Sequence, residues 1–578
     1  MEDKALTGYP STDRPWLKYY SEEAINSSLP EYTIYEYFYE NNKDYPNDIA
    51  LEYMGNKITY GKMFSHIDNC EKSLTALGVK PGNIVTVALP SIPEALYLIY
   101  ALNKMGAVAN MIHPLAGENE IVHYLNEVSC NVAVLFEGTY NIVKNSLYST
   151  SLKKAVVVSA GDSLPFAIKQ LYMLKNKLPK FTADGMLMNW KQFIGLGYDT
   201  TAVPVKKDSS TMAIISHTGG TTGEPKGVML SDSNINALMW QLNVNFKNQR
   251  QEKNLVVLPP FVNYSLVHSM LLPLTLGLQV TLIPKYEADK FDEYVRKYKP
   301  NHISSIPPYL EALLTNETLK KMDLSCIKTI AYGGEAMNLQ KEEELNNLLR
   351  ACGSNAKISK GLGSTEMVGA ATTTREECNT IGNVGIPLAR INCKIVEPET
   401  FDELSYNQIG EICFAGPTLM SGYYRNSEAT DSIIKNHPDG IRWMHTGDLG
   451  YVNEDGVVFI TGRIKKILMT VGKDGNPTKI FPDRIEKVLM EHPSVALCCV
   501  IGIPDIERMN YPRAYVILNE DYHDTPGLTN TLMKYCQDRL PEYMIPEEIV
   551  YRNEFPRTSR GKVDYRELER EAQEEVEN

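Results

Sequence analysis

The stretch Ser216 to Val228, SHTGGTTGEPKGV, holds the residue types best suited to gripping an anion. Gly219, Gly220 and Gly223 open backbone conformations closed to other residues, so successive amide N–H groups can converge on one charge. Thr218, Thr221 and Thr222 add hydroxyl donors, and Lys226 adds a positive charge. This inventory suits a polyphosphate. It is not the GxxxxGK[ST] phosphate loop, which would need glycine at Pro225 and serine or threonine at Gly227. On composition alone the same loop also fits a flexible turn.

The elements that must position such a loop are visible as short apolar runs alternating with longer amphipathic ones. Asn83 to Leu89, Val132 to Phe136, Ala155 to Ser159, Leu255 to Leu258 and Val280 to Ile283 read as strands. Glu94 to Lys104 has the apolar spacing of a buried helix. This is α/β patterning, shared by many unrelated enzymes. The pattern changes near residue 460. Asp455-Gly456 marks a turn, and a compact α+β segment follows: helices over Asp483 to His492 and Leu528 to Leu540, strands over Ala496 to Ile501 and Arg513 to Leu518. The acidic last dozen residues, ELEREAQEEVEN, read as a frayed helical tail.

Further glycine-centred segments follow the phosphate loop in a fixed order. They are Tyr332-Gly333-Gly334-Glu335-Ala336, Gly361-Leu362-Gly363-Ser364-Thr365-Glu366, Gly382 to Pro387, Gly410-Glu411-Ile412, Gly422-Tyr423-Tyr424, Thr446-Gly447-Asp448, Gly462-Arg463 and Pro556 to Lys562. Together with Thr218 to Gly227 this set resembles the ANL superfamily of adenylate-forming enzymes, over roughly residues 30 to 568. That family includes acyl- and aryl-CoA synthetases, peptide-synthetase adenylation domains and luciferases.

The resemblance implies a large N-terminal multi-sheet α/β domain (1–462), a hinge (463–466) and a small mobile C-terminal α+β domain (467–578). It also implies a set of roles. The loop around Thr218 to Lys226 takes phosphate, and Gly333, Gly334 and Glu335 line the acyl and adenine pockets. Gly361 to Thr365 contact the nucleotide, and Glu366 holds Mg²⁺ with Thr221. Asp448 accepts from the ribose hydroxyls and Arg463 reaches the ribose. Lys562 is the catalytic lysine carried in by the mobile domain, Lys465 is the pivot, and the Gly472 loop faces the coenzyme A channel. The chemistry asks for these residue types. A carboxylate attacks the α-phosphorus of ATP, so two anions must meet, and Lys226, Lys562 and Mg²⁺ offset their repulsion. The nucleophile is already ionised, so no general base is needed.

The chain departs from the family pattern at three places. The usual adenine-stacking aromatic is Leu362, which keeps an apolar contact and loses π-stacking. The loop after Gly472 is longer than usual, and Arg484 replaces a glutamate. The acyl-pocket segment, Leu258 to Ser265, places Val262 where amino-acid-activating members place aspartate. Val262 cannot hold an ammonium ion and its neighbour Asn263 would be a poor partner for one, so an apolar acid is expected.

Composition narrows the rest. A net charge of −13 argues against a nucleic-acid partner, and the scattered cysteines, without a C-x-x-C pair, read as reduced core thiols. No stretch is apolar enough to span a membrane, and the protein is expected to be cytoplasmic. The segment Pro165 to Lys180, with Lys169, Lys175, Lys177 and Lys180, reads either as a plain surface helix or as a basic amphipathic one touching membrane. The expected activity is an ATP-dependent acyl-CoA ligase. The alternatives are an acyl-AMP ligase serving an acyl carrier protein and, more remotely, a non-catalytic nucleotide-binding regulator.

Overall fold

The structure, a computed structural model, describes residues 6–577 apart from 176–184, 203–204, 219–224, 247, 399, 467, 472–476, 506–508 and 558–562. Two largely parallel sheets build the bulk of the chain. In the first, Ile84–Ala88 lies between Val108–Met111 and Val132–Phe136, and Lys154–Val158 and Leu187–Asn189 extend it on one side. On the other side come Met212–His217, then antiparallel Gly227–Ser231 and the short Gly422–Tyr423. Ile84–Ala88 and Val132–Phe136 are apolar except for Thr86 rather than alternating, because both faces of the sheet are covered. The helix Pro93–Lys104 starts with proline in its first turn and is buried along almost its whole length.

The second sheet runs Ile358–Lys360, Thr329–Tyr332, His302–Ser305, Lys253–Val256, Gln279–Leu282, Ile49–Tyr53 and Asn56–Thr59, and only the last pair is antiparallel. A third, antiparallel sheet pairs Gly410–Ala415 with Arg442–Val452, and Val458–Arg463 closes it. The five strands expected in these sheets lie within one or two residues of the observed ones, whereas the two expected after residue 460, Ala496 to Ile501 and Arg513 to Leu518, are each four residues shorter at one end than the observed Val495–Asp505 and Met509–Leu518.

Beyond Arg463 a 3₁₀ turn, Ile464–Lys466, leads into a hairpin of Leu468–Val471 and Pro477–Ile480. The helix Pro482–Met490 follows. A three-stranded sheet of Val495–Asp505, Met509–Leu518 and Glu548–Tyr551 then forms, with the helix Pro526–Gln537 on one face. Cys498 and Cys499 point to opposite faces of this sheet, into separate cores. All ten cysteines are free, and nine are buried. The acidic terminus is not frayed, contrary to expectation. The helix Tyr565–Glu577 buries Leu568 and Ala572 against the sheet, one turn apart on one side, and its acids Glu571 and Glu575 pair with Arg552 and Arg513. Among the described residues no helix is long and apolar enough to cross a membrane.

Candidate active site

Four candidate segments lie just past the C-terminal ends of parallel strands, where α/β sheets place their ligands. Met212–His217 runs into Thr218, Lys253–Val256 into the Leu258 to Asn263 segment, Thr329–Tyr332 into Gly333-Gly334, and Ile358–Lys360 into Gly361. They line one cavity of about 720 Å³, which the third sheet completes with Thr446, Asp448 and Arg463.

The neck of the phosphate loop is closed by two hydrogen bonds: Thr218 N–H donates to Lys226 O (3.0 Å), and Lys226 N–H donates to Thr218 Oγ1 (3.2 Å). Gly219, Gly220, Thr221, Thr222 and Gly223 lie outside the described residues, as do Gly472 and Lys562; of Lys465 only the backbone, in the 3₁₀ turn, is described. Lys226 Nζ sits 5.1 Å from the ring centre of Tyr423, and the Tyr423 hydroxyl donates to Glu366 Oε1 at 2.6 Å. One ring thus orders both a cation and a carboxylate. Burial, with the Glu366 charge beside it, raises the Tyr423 phenol far above its usual pKa, so it stays a donor.

Gly361 and Gly363 are required by close approach. A Cβ on Gly361 would meet Thr372 O at 2.2 Å, and one on Gly363 would meet Gly369 O at 2.2 Å. Leu362 lies between them, its carbonyl accepting from Ala371 N–H and Thr372 N–H. It packs partly into the main core. Ser364 and Thr365 line the cavity next to Glu366, whose carbonyl accepts from Met420 N–H at 2.9 Å. Gly334 takes a left-handed φ of +89°, and Glu335 behind it is exposed.

Asp448 is buried, and its Oδ1 lies 2.8 Å from Arg463 Nε across the strand pair. The turn leading to it is held by a residue whose role the sequence reading did not assign. Glu411 Oε1 accepts from Gly447 N–H (2.9 Å), while Glu411 Oε2 pairs with His445 Nδ1 (2.7 Å). His445 Nε2 in turn meets His437 Nε2 at 2.9 Å. Burial, helped by Lys394 and His445, pushes His437 down to about 4, so this relay is uncharged at its far end.

Val262 and Asn263 line the same cavity as Gly333 and Gly334. Ser216 Oγ donates to Asn263 Oδ1 (2.9 Å), which ties this wall to the strand bearing the phosphate loop. Two residues were missed here. The Tyr264 ring lies under Gly333, 3.7 Å from where its Cβ would be, and His268 packs on Tyr264. Burial pushes His268 down to about 3, leaving a neutral imidazole. His268 belongs to a π-helical turn, Leu266–Leu271, a rare geometry with no signal in composition.

Past Arg463, Asp483 accepts from Arg463 N–H at 2.8 Å and from Lys466 Nζ at 2.6 Å. Lys466 also lies 3.7 Å from the Tyr565 ring centre. Burial alone would lower its ammonium pKa; the Glu486 and Asp483 carboxylates outweigh that and hold it raised.

With this geometry in view, the chain belongs to the AMP-binding enzyme family: the family model matches residues 38–424, and the AMP-binding enzyme C-terminal domain matches 484–562. It is an adenylate-forming enzyme of the ANL superfamily, in the class of AMP-forming acid–thiol ligases. Among its relatives, a long-chain-fatty-acid–CoA ligase of Bacillus subtilis (strain 168) is 27% identical over 98% of this chain and 99% of its own. A probable 4-coumarate–CoA ligase 1 of Dictyostelium discoideum is 29% identical over 87% of this chain and 89% of its own. The fold matches the anthranilate CoA ligase AuaEII in complex with anthranoyl-AMP, with TM-score 0.78 and 21% identity over 95% of this chain and 98% of that one. ATP-bound MatB from Rhodopseudomonas palustris also gives TM-score 0.78, at 20% identity over 93% and 98%.

Proposed function

We propose that this enzyme joins an apolar carboxylic acid to coenzyme A through an acyl-AMP intermediate, spending ATP and releasing pyrophosphate. The observation that carries the reading is one cavity lined by two unlike sets of residues. Thr218, Thr365, Glu366, Asp448 and Arg463 are a polar set suited to nucleotide and metal, while Leu242, Phe246, Leu258, Leu272 and Ile303 are an apolar set. The relatives named above for long-chain fatty acid and for coumarate support an acid whose tail is apolar.

In the first half-reaction a carboxylate oxygen of the acid bonds to the α-phosphorus, and the bond to pyrophosphate breaks. Lys226, placed over the Tyr423 ring, offsets the charge of the phosphates, and Lys562 is the second cation in this reading. Asp448 accepts from the ribose hydroxyls, sharing its charge with Arg463. The Glu366 carboxylate lines the cavity with one oxygen fixed by Tyr423, so it offers the hard oxygen donor that Mg²⁺ takes, with Thr221 as partner. When bound, Mg²⁺ supplies positive charge to the phosphate oxygens. Leu362 gives adenine an apolar surface, and Val262 leaves the acid's tail without an ionic partner. In the second half-reaction the small domain turns about Lys465 and brings the Gly472 loop to the thiol, whose sulfur displaces AMP from the acyl carbon.

Acid-dependent pyrophosphate release, measured over straight-chain, aromatic and α-amino acids with and without coenzyme A, tests the reading. Apolar acids should give release, with acyl-CoA formed only when coenzyme A is present. Turnover of α-amino acids, or transfer to an acyl carrier protein in preference to coenzyme A, would overturn it.

A further inference from the structure

The strands beside the cavity have two unlike faces. Asn254, His302 and Thr329 pair side by side across three neighbouring strands, and all three line the cavity. Leu255 and Ile330, one residue further along their strands, turn to the other face and into a closed apolar core. The polar row sits where these strands begin, whereas the glycine turns leave from where they end. Thr329 opens a strand of four residues that ends at Tyr332. At about 3.3 Å per residue, the row lies about 10 Å from the turn at Gly333.

The hydrogen bonds of this row leave only acceptors. Asn254 Nδ2 donates to Ser269 O at 2.8 Å, and among the described residues nothing donates to its Oδ1. His302 is fully used: Nε2 meets Glu252 Oε2 at 2.8 Å, and Nδ1 meets Thr329 Oγ1 at 2.8 Å. Burial lowers the His302 pKa against the pull of Glu252, so the ring is neutral. The carboxylate can only accept, so Nε2 holds the ring's proton. Nδ1 then accepts, and the Thr329 hydroxyl gives its hydrogen to it. Thr329 Oγ1 is left with lone pairs. Lys328 pairs with Glu252, so the row carries no uncompensated charge.

One more polar group joins this row. The π-helical turn Leu266–Leu271 packs on the strands of Asn254 and His302, and its Ser269 takes the Asn254 amide. The residue before Ser269 is His268, which lines the cavity and whose Nε2 has no hydrogen-bond partner. In so apolar a run an unpaired imidazole lowers stability, and a substrate group that pairs with it removes the loss.

We propose that the acid's tail carries a hydroxyl group, which donates to Asn254 Oδ1 and accepts from the His268 imidazole. A carbonyl, ether or carboxylate at this level would face the lone pairs of Asn254 and Thr329. An alkyl end would leave the polar atoms unpaired, and an ammonium would lack a free carboxylate to balance it. The proposal rests on the reading of this cavity as the acid's site, and narrows the acid to an apolar skeleton bearing a hydroxyl.

The test compares matched acids by acid-dependent pyrophosphate release. Straight-chain acids of graded length are set against their ω-hydroxy, ω-oxo and ω-carboxy forms, and phenylpropanoic acid against its para-hydroxy form. The best hydroxylated acid should exceed its parent about tenfold in kcat/KM, the scale of one or two net hydrogen bonds. His268→Phe keeps a ring and removes both nitrogens, and should bring that ratio close to one. Asn254→Leu should lower it severalfold. Thermal unfolding checks the variants, and His268→Phe should melt no lower than the unmodified protein, because it removes an unpaired polar group. A ratio near one for every pair in the unmodified enzyme overturns the proposal, and would mean that ordered water pairs with these groups. An undiminished ratio in both folded variants, or a preference for the oxo or carboxy forms, overturns it too. Release with none of these acids would instead overturn the acid-ligase reading on which the proposal stands.

Discussion

Replacing Glu411 by alanine is the sharpest test of how the proposed ribose site at Asp448 is held. The carboxylate is buried and takes two donors at once, Gly447 N–H at 2.9 Å and His445 Nδ1 at 2.7 Å. Hydrogen bonds to a charged group contribute about 1.5–3 kcal/mol each, so the pair accounts for about 3–6 kcal/mol of hold on the turn that ends at Asp448. Part of this is recovered, because Thr446 and Asp448 line the cavity and water can reach the freed N–H groups. If about 1–2 kcal/mol of the loss falls on the position of Asp448, the KM for ATP rises about 5- to 30-fold. Thermal unfolding should show a drop in stability of about 3 kcal/mol, and added ATP should restore less of it than in the unmodified enzyme. Glu411→Gln keeps one oxygen for one of the two donors and should fall between. The assay is acid-dependent ATP–pyrophosphate exchange, run well below the variant's melting temperature. An unchanged KM for ATP in the folded alanine variant would refute the claim that Glu411 sets the ribose turn.

Lys562→Ala should abolish acyl-AMP formation yet leave the attack of coenzyme A on supplied acyl-AMP largely intact; equal loss in both half-reactions, followed by product release in each, would contradict its assignment. Gly363→Ala should be destabilising by several kcal/mol or fail to fold, since its Cβ would lie 2.2 Å from Gly369 O, a backbone contact that cannot move aside cheaply; a melting temperature equal to the unmodified protein's would show that the close approach is not needed. Val262→Asp should weaken apolar acids by placing an unpaired carboxylate in the pocket, read as a rise in KM for the acid with ATP dependence unchanged. Lys465→Pro should spare single-turnover pyrophosphate release and let acyl-AMP accumulate, because proline fixes φ near −65° and restricts Ile464 before it; acyl-CoA formed at the unmodified rate would place the pivot elsewhere.

The strands were legible in the sequence because buried parallel strands write themselves as near-continuous apolar runs, and the helix Pro93–Lys104 because of its apolar spacing. The glycine segments were legible through family resemblance, and the structure supplies the reason for two of them, a main-chain approach that admits no Cβ at Gly361 and Gly363. Glu411 appeared in the reading only as a motif letter. Its two acceptor contacts are made to residues 34 and 36 positions away, across a strand pair, and no local spacing encodes that. His268 was missed for a different reason: in a run as apolar as Leu266–Leu271, one histidine gives no hint of which wall it faces. The terminal helix was misread because its acids outnumber its apolar residues. Leu568 and Ala572, with Tyr565 partly buried beside them, carry the packing seen among its described residues, and its glutamates pair with Arg513 on a strand and Arg552 just past one.

The helix Tyr565–Glu577 bears directly on the segment that carries Lys562, the proposed catalytic lysine. Arg557 and Val563 form an antiparallel bridge, and Asp564 N–H donates to Pro556 O at 2.8 Å, so both flanks of the segment bearing Lys562 are clamped together. The downstream flank runs straight into Tyr565–Glu577, whose burial of Leu568 and Ala572 fastens it to the sheet. A shortened protein ending before Tyr565 would keep every residue assigned to the chemistry and lose the anchor of the lysine. It would also lay bare the face formed by Cys499, Ile501, Tyr515 and Phe555. A loss of adenylation on disturbing this helix should therefore not be mistaken for damage to the proposed nucleotide site.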